Sequence, residues 1–258
     1  MTSRAASTST LTESSRAELA VELRGGRSVV TSLHGSSPLA LRPLPGREGA
    51  ARVALAQSSA TLLNGDQVTL NVRVGAGARL ELEEISATLA HPTPSGDPGM
   101  VQRVEIEIGP GATALVDEQP LIIADSARLD RTVCVSLHED ARCLHREVVV
   151  LGRHGELAGP SRLRRRVERD GLPVLDETLE TSSAVIASAA VAAGARVLAS
   201  VGCFGQALPS GLTSRPGTFV LGERDTLHRS LGGDAPSALA ASEWAWSLWR
   251  EAMTAGVL

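Results

Sequence analysis

The run "HEDARCLHRE" brings together two imidazoles and a thiol that can bind metals, His138, Cys143 and His145. If the run forms a strand, Cys143, His145 and Glu147 share one face, because side chains alternate with a period of two. Thiol, imidazole and carboxylate at that spacing suit Zn2+, Ni2+ or Cu2+. A structural zinc site pairs one close couple of ligands with a second, and no second couple follows. His138, Cys143 and His145 are metal candidates, set against a plainer picture of a half-buried cysteine beside two surface histidines. "RLRRRVER", Arg162 to Arg169, carries five arginines. On a strand, Arg162, Arg164 and Arg166 face one way, and Leu163, Arg165 and Val167 the other. In a chain of formal net charge −4 this run reads as a solvated face or a contact for an acidic partner, not a nucleic-acid surface.

Two glycine turns raise the question of phosphate. "VRVGAGARLELEE" (Val72 to Glu84) is echoed by "IEIGPGATALVDE" (Ile106 to Glu118). A phosphate loop needs a helix after it, whose N-terminus holds the anion. Both turns run into alternating strands instead, so the glycines serve backbone reversal. No G-x-S-x-G elbow marks a serine nucleophile. Glu81, Glu83, Glu84, Asp117 and Glu118 read mostly as solvent-facing members of alternating strands, with no cleft in view to pair two of them.

The elements that position these residues are mainly strands. "QVTLNVRV" puts Val68, Leu70, Val72 and Val74 on one face, a half-buried strand. Gly25-Gly26, Asn64-Gly65 and Asp170-Gly171 mark turns, and the Pro/Gly/Ser cluster from His91 to Gly99 a surface loop. "VCVSLHEDARCLHREVVVLG" is a third strand–turn–strand, with His-Glu-Asp-Ala at its turn. The turn alanines Ala78, Ala112 and Ala141 follow one another by 34 and then 29 residues, a loose repeat that suggests strand pairs stacking in layers. Over residues 183–205 strand and helix compete. The Ala-rich text favours a helix from Ser183 to Ala192, with Ser182 and Ser183 as N-caps and Gly194 as terminator. The tail reads as a helix with Pro236 in its first turn and Gly256 at its end. The expected fold is mainly β: a layered, β-helix-like stack of antiparallel strands with about two α-helices toward the C-terminus.

Composition narrows the function classes. The chain has 258 residues, 43% hydrophobic and 21% charged, ordinary for a globular protein large enough to need no staple. With two Phe, three Trp and no Tyr, the core must be Val, Leu, Ile and Ala, and the composition argues against stacking platforms for single-stranded nucleic acid. Three cysteines make no disulfide framework, which points to a reducing cytoplasm. No run of 18 apolar residues spans a membrane, and the Ser/Thr-rich start lacks the apolar core of a secretory signal. Residues 1–16 are expected as a disordered tail, and 17–258 as a single β-rich domain.

The order of several fragments resembles the urease accessory protein UreD family, also called UreH. They are "PLALRPL" (Pro38 to Leu44), "NGDQVTLNVRVGAGARLEL" (Asn64 to Leu82) with "SAT" (Ser86 to Thr88), "VEIEIGPGATALVDEQPLI" (Val104 to Ile122), "REVVVLGRHGE" (Arg146 to Glu156) and "RDGLPVLDE" (Arg169 to Glu177). The resemblance runs over nearly the whole chain. It implies a layered β fold with two helices and a non-catalytic maturation chaperone in the cytoplasm. It implies binding to apo-urease and UreF, and through UreF to the GTPase UreG, with transient Ni2+ passing to urease and no tightly bound cofactor. A water-filled tunnel has been proposed as the family's nickel route. Carried over by motif, the nickel-path or partner-contact candidates are Asp66, Thr88, Glu118, Glu147, Arg153, Glu156 and Asp176. Against each stands a structural role: Asp66 closing its turn, Arg153 pairing with Glu147 or Glu156. His138, Cys143 and His145 lie outside the shared motifs, and "LAHPTPSGDPG" departs from the family's usual basic or aromatic residue after "AT".

Two rivals remain at this level. One is a metal-dependent hydrolase using His138, Cys143 and His145. The other is a β-sandwich ligand-binding module with one deep, closed pocket.

Overall fold

The computed structural model describes residues 14–58 and 61–254. Its strands are β1 (Ser14–Arg24), β2 (Arg27–His34), β3 (Leu39–Arg47), β4 (Ala50–Gln57), β5 (Thr61–Leu62), β6 (Gln67–Val74), β7 (Arg79–Glu84), β8 (Thr88–Ala90), β9 (Met100–Ile108), β10 (Thr113–Asp117), β11 (Leu121–Ile123), β12 (Leu129–Leu137), β13 (Arg142–Leu151), β14 (Arg162–Arg169) and β15 (Leu172–Glu180). After them come α1 (Ser183–Ala187), β16 (Val197–Phe204), α2 (Ser210–Thr213), β17 (Thr218–Gly222), β18 (Asp225–Gly232) and α3 (Ala235–Thr254).

Among the described residues these strands form two facing sheets. The first runs β15-β14-β12-β9-β6-β1-β2, and the main path of the second runs β17-β18-β16-β13-β10-β7-β4-β3. The chain winds between them. Each coil gives a strand to the first sheet (β6, β9, β12) and the next to the second (β7, β10, β13), while β5, β8 and β11 pair along a third edge. The layered, β-helix-like stack is therefore present. Its hydrogen bonding is a refinement on the sequence expectation: successive coils pair in parallel, as β6 with β9 and β9 with β12. Antiparallel pairs flank this stack: β1–β2 and β14–β15 in the first sheet, and β3–β4 and the run β13–β16–β18–β17 in the second.

The reason lies in the G-x-G-A turns. A hairpin would return the chain along its own neighbour in the same sheet. Here the turn instead carries it across, from β6 to β7 and from β9 to β10, so the next strand pairs with the equivalent strand one coil away. Positive φ at Gly77 (65°) and Gly111 (62°) makes the corner. The corners stack on one another: Gly77 N–H donates to the Pro110 carbonyl at 2.8 Å, and Thr113 N–H to the Ala78 carbonyl at 2.9 Å. Ala78, Ala112 and Ala141 are fully buried where the corners meet. In the third coil, Asp140 replaces a glycine and its carboxylate accepts the Gly111 N–H at 2.8 Å.

The core fills the gap between the sheets with Val, Leu, Ile and Ala from alternating positions, joined by Met100 and Phe204. Each such Val, Leu or Ile contributes about 1.5–3 kcal/mol on burial. A second cluster lies on the outer face of β13 and β16, where Trp246, Trp249 and Met253 of α3 cover Leu144, Val201 and Cys203. Pro236 sits in the first turn of α3, capped by Asp234, whose carboxylate accepts the Ser237 N–H at 2.8 Å. Gly256, the expected terminator, lies outside the described residues. No helix among the described residues is long and apolar enough to cross a membrane.

Two expectations need correction. The helix expected over Ser183–Ala192 stops at Ala187, and Val197–Phe204 is the strand β16. That strand is covered on one face by α3 and on the other by the core, so its apolar residues do not alternate and the local pattern was ambiguous. The tail expected over 1–16 is shortened at its end, because Ser14, Ser15 and Arg16 pair with Gln67, Val68 and Thr69 of β6. Residues 1–13 lie outside the described residues.

Candidate functional site

Inward positions of the sheet-one strands are apolar, except for a few polar residues that keep the same phase. Gln102 follows Met100 on β9, Arg131 follows Leu129 on β12, and Arg165 lies between Leu163 and Val167 on β14. On the facing strand β13, Cys143, His145 and Glu147 occupy one inward row, as the period of two requires. Glu118 follows β10, Glu84 ends β7 and Thr88 begins β8. Register adds a lateral row: Glu147 lies beside Ser200, and Ser200 beside Arg229. The stacking brings these groups into one polar seam inside an otherwise apolar core.

Arg131 is the centre of the seam and is 4% exposed. Its Nη2 donates to Glu118 Oε2 at 2.6 Å and its Nε to Gln102 Oε1 at 2.8 Å. Its Nη1 pairs with Glu147 Oε1. The other oxygen of Glu118 lies 3.0 Å from His145 Nε2, which places the donated proton on that nitrogen. His145 Nδ1 is buried without a hydrogen-bond partner among the described residues. Arg165 Nη2 donates to Glu147 Oε2 at 2.7 Å. At the far end Arg229 donates to Glu177 Oε1 at 2.6 Å and to Ser200 Oγ at 3.2 Å. At the near end Glu84 accepts from Thr88 Oγ1 at 3.2 Å and from the Gln119 N–H at 3.0 Å. Gln57 Nε2 donates to Thr88 Oγ1 at 2.8 Å.

The charges divide into locked and unlocked groups. Burial alone would raise the Glu118 carboxyl, but the Arg131 guanidinium and the hydrogen bond with His145 outweigh it and hold the pKa below its ordinary value. Glu147 is likewise opposed by burial, yet Arg165 and Arg131 hold it far below the usual carboxylate range. Among the described residues, no arginine is in hydrogen-bond contact with Glu84. Burial, reinforced by the Glu118 charge, pushes it up to about 7, so one carboxyl of the seam exchanges a proton near neutrality.

The seam runs between two cavities. One, lined by Gln57, Glu84, Thr88, Gln102, Glu118 and Arg131, leaves about 30 Å3 open to the centres of water molecules, enough for roughly two waters. The other, lined by Glu147, Arg165, Glu177, Ser200 and Arg229, measures about 220 Å3. The Arg131–Glu147 ion pair joins the lining of the first to the lining of the second.

Of the residues singled out by sequence, Thr88, Glu118 and Glu147 meet in this seam, together with His145. The other four do not. Asp66 closes its own turn, its carboxylate accepting the Leu63 N–H at 2.8 Å. Arg153 pairs with Glu156, not Glu147, at an exposed turn, Nε to Oε2 at 2.8 Å. Asp176 pairs with Arg164 at 2.7 Å on the outer face of β14 and β15. Arg162 and Arg166 share that outer face, as the alternation predicts.

The metal candidates separate. His138 is on an exposed turn, 2.7 Å from Asp140. Cys143 is buried among aliphatic side chains, and burial pushes its thiol up to about 12. His145 is engaged with Glu118. No group of three His, Cys, Asp or Glu side chains among the described residues is arranged to hold a metal ion. The hydrolase reading thus loses its ligand set, and the stacked coil with more than one cavity stands against the rival sandwich with a single deep pocket.

The acidic run also needs correction. Glu81 is buried and accepts from Arg250 of α3 at 2.9 Å. Asp117 is clamped by Arg146, and Glu84 and Glu118 point inward. Sequence reasoning passed over Arg131 and Gln102. Their signal was nonetheless there: a polar residue in the inward phase of a strong alternating strand.

Residues 13–257 match the family described as UreD urease accessory protein. A urease accessory protein UreD 1 of Saccharopolyspora erythraea is 39% identical over 191 residues, covering 71% of this chain and 72% of that protein. Another UreD 1, from Streptomyces griseus subsp. griseus, is 40% identical over 155 residues, 60% of each chain, so that match spans less than two thirds of the relative. A UreD of Rhizobium leguminosarum bv. viciae is 30% identical over 239 residues, covering 90% of this chain and 84% of its own length.

Proposed function

We propose that this chain, which belongs to the UreD urease accessory protein family, is a non-catalytic chaperone of urease maturation. It binds apo-urease and UreF in the cytoplasm, reaches UreG through UreF, and assists nickel delivery to the urease active site. The observation that carries this reading is the family match across residues 13–257.

The polar seam supports the nickel part. Ni2+ is a borderline cation that accepts imidazole nitrogen and carboxylate oxygen. His145, Glu118, Glu147 and Glu84 offer both, between two cavities. Glu118 and Glu147 are already neutralised by Arg131 and Arg165, so a passing cation competes with fixed guanidinium groups and is held loosely. Loose holding suits transfer, because a tight site stops it. Nickel is cargo on this reading, not a resident cofactor.

Co-expression of urease with its other accessory proteins, with and without this chain, tests the proposal. Nickel per urease active site and urease activity should both fall sharply when the chain is omitted. Fully loaded, active urease in its absence overturns it. A pull-down with UreF tests the partner claim separately.

A further inference from the structure

The larger cavity contains a feature that the nickel reading does not use. Arg165 is 3% exposed, yet only its Nη2 makes a hydrogen bond, to Glu147. Its Nε and Nη1 are buried without a partner among the described residues, and the side chain lines the cavity of about 220 Å3. A guanidinium group cannot shed its charge to escape burial. Buried donors of this kind take an acceptor wherever space allows one.

The arrangement of donors around the cavity favours an anion as that acceptor. Arg229 lines the same wall and donates to Glu177 Oε1 at 2.6 Å, while Arg165 Nε stands 4.0 Å from that same oxygen. The two guanidinium groups therefore converge on one carboxylate. The second carboxylate of the wall, Glu147, is shared between Arg165 and Arg131. Arg131 also pairs with Glu118, so the charges along this wall balance, and what is left without an acceptor is the pair of donors Arg165 Nε and Nη1. On the outer side the cavity is bounded by Ala190 and Val191, both exposed, so a small solute has a short way in.

We propose that this cavity binds a small oxoanion, of the carboxylate or phosphate class, through Arg165 Nε and Nη1 with Arg229 close by. The paired oxygen atoms of such an anion match the planar fork of a guanidinium group bidentately, which a single spherical chloride does not. An anion there also competes with Glu147 for Arg165.

Calorimetric titration of the full chain with formate and with inorganic phosphate, against chloride at matched ionic strength, tests the site. Saturable one-site binding of formate or phosphate is expected, with none of chloride. Arg165→Lys should weaken it by about tenfold or more, because an ammonium cannot present the same planar fork. Ala190→Phe, which blocks the outer wall without touching the β core, should abolish it and decides the question if Arg165→Lys does not fold. Chloride binding as tight as that of formate and phosphate, no saturable heat with any anion, or unchanged affinity in Ala190→Phe overturns the proposal. The measurement involves neither urease nor nickel, so its outcome is independent of the maturation role.

Discussion

Arg131 Nη2 lies 2.6 Å from Glu118 Oε2 across the gap between the two sheets. The pair ties a strand of the first sheet to the end of a strand of the second, and Arg131 ties in Glu147 as well. Buried ion pairs of this kind are costly to form and more costly to break singly, because one charge is then left without its partner.

Arg131→Met should therefore destabilise the chain by about 3–5 kcal/mol. Adding Glu118→Gln and Glu147→Gln should recover part of that loss, since the stranded charges are removed. Urea unfolding curves of the single and triple variants check this. Equal stabilities for the two would show that the pair carries little of the seam's energetics.

Stability should also report the Glu84 proton. The Glu84 carboxyl is raised from 4.5 to about 7 in the folded chain, by burial and by the Glu118 charge. Below the lower value both folded and unfolded chains hold the proton. Between the two values only the folded chain does, so Glu84's contribution to stability falls as pH rises through that window. Glu84→Gln, which stays neutral, should match wild type near about pH 4 and exceed it by up to about 3 kcal/mol above about pH 7.5. A difference that does not change with pH would refute the assignment.

Coil packing should be sensitive at Gly159. A methyl group there would overlap the Ala127 backbone, and Gly159→Ala should cost about 3 kcal/mol or more. Gly155, unlike Gly159, has positive φ, 79°, and nothing within 4 Å of an added methyl, so Gly155→Ala should cost about 1 kcal/mol. Thermal unfolding of the two variants side by side separates steric overlap from backbone strain.

Thiol labelling should follow burial. Cys143 is fully buried with its thiol pushed up to about 12, and Cys203 is also buried and raised. Cys134 is only partly buried. Iodoacetamide at mildly alkaline pH should modify Cys134 first, and Cys143 and Cys203 only on unfolding, read by mass spectrometry. Early labelling of Cys143 would show that the coil opens locally.

Position in the seam, rather than membership of a shared motif, should decide which substitutions affect nickel loading. Glu118→Gln should lower the nickel delivered to urease by about tenfold, an effect of the size seen when groups supporting a metal's ligands are lost. Asp176→Asn, on the outer face, should leave it unchanged. Nickel content of urease purified from matched co-expressions checks both, and equal losses in the two variants would remove the seam from the route.

Much of the fold was readable in the chain's own text. Period-two alternation located β6, β9 and β14, and Gly25-Gly26, Asn64-Gly65 and Asp170-Gly171 marked real turns. Alternation also placed Arg165 opposite Arg164 and set Cys143, His145 and Glu147 in one row, because a strand's face depends only on local geometry. The ordered motifs named the family that the whole-chain match bears out. What the tertiary structure decided was pairing. A G-x-G-A corner reads alike whether it folds a strand back or sends it to the facing sheet, so parallel stacking was not legible. Nor was it legible that Glu118 meets Arg131 and His145 while Asp176 meets Arg164 outside. A carboxylate's partner and protonation depend on which residues the stacking register brings within hydrogen-bond reach, and no local period carries that register. Only the closed coil sets it, by burying these charges where each must find a counter-charge or give up its proton.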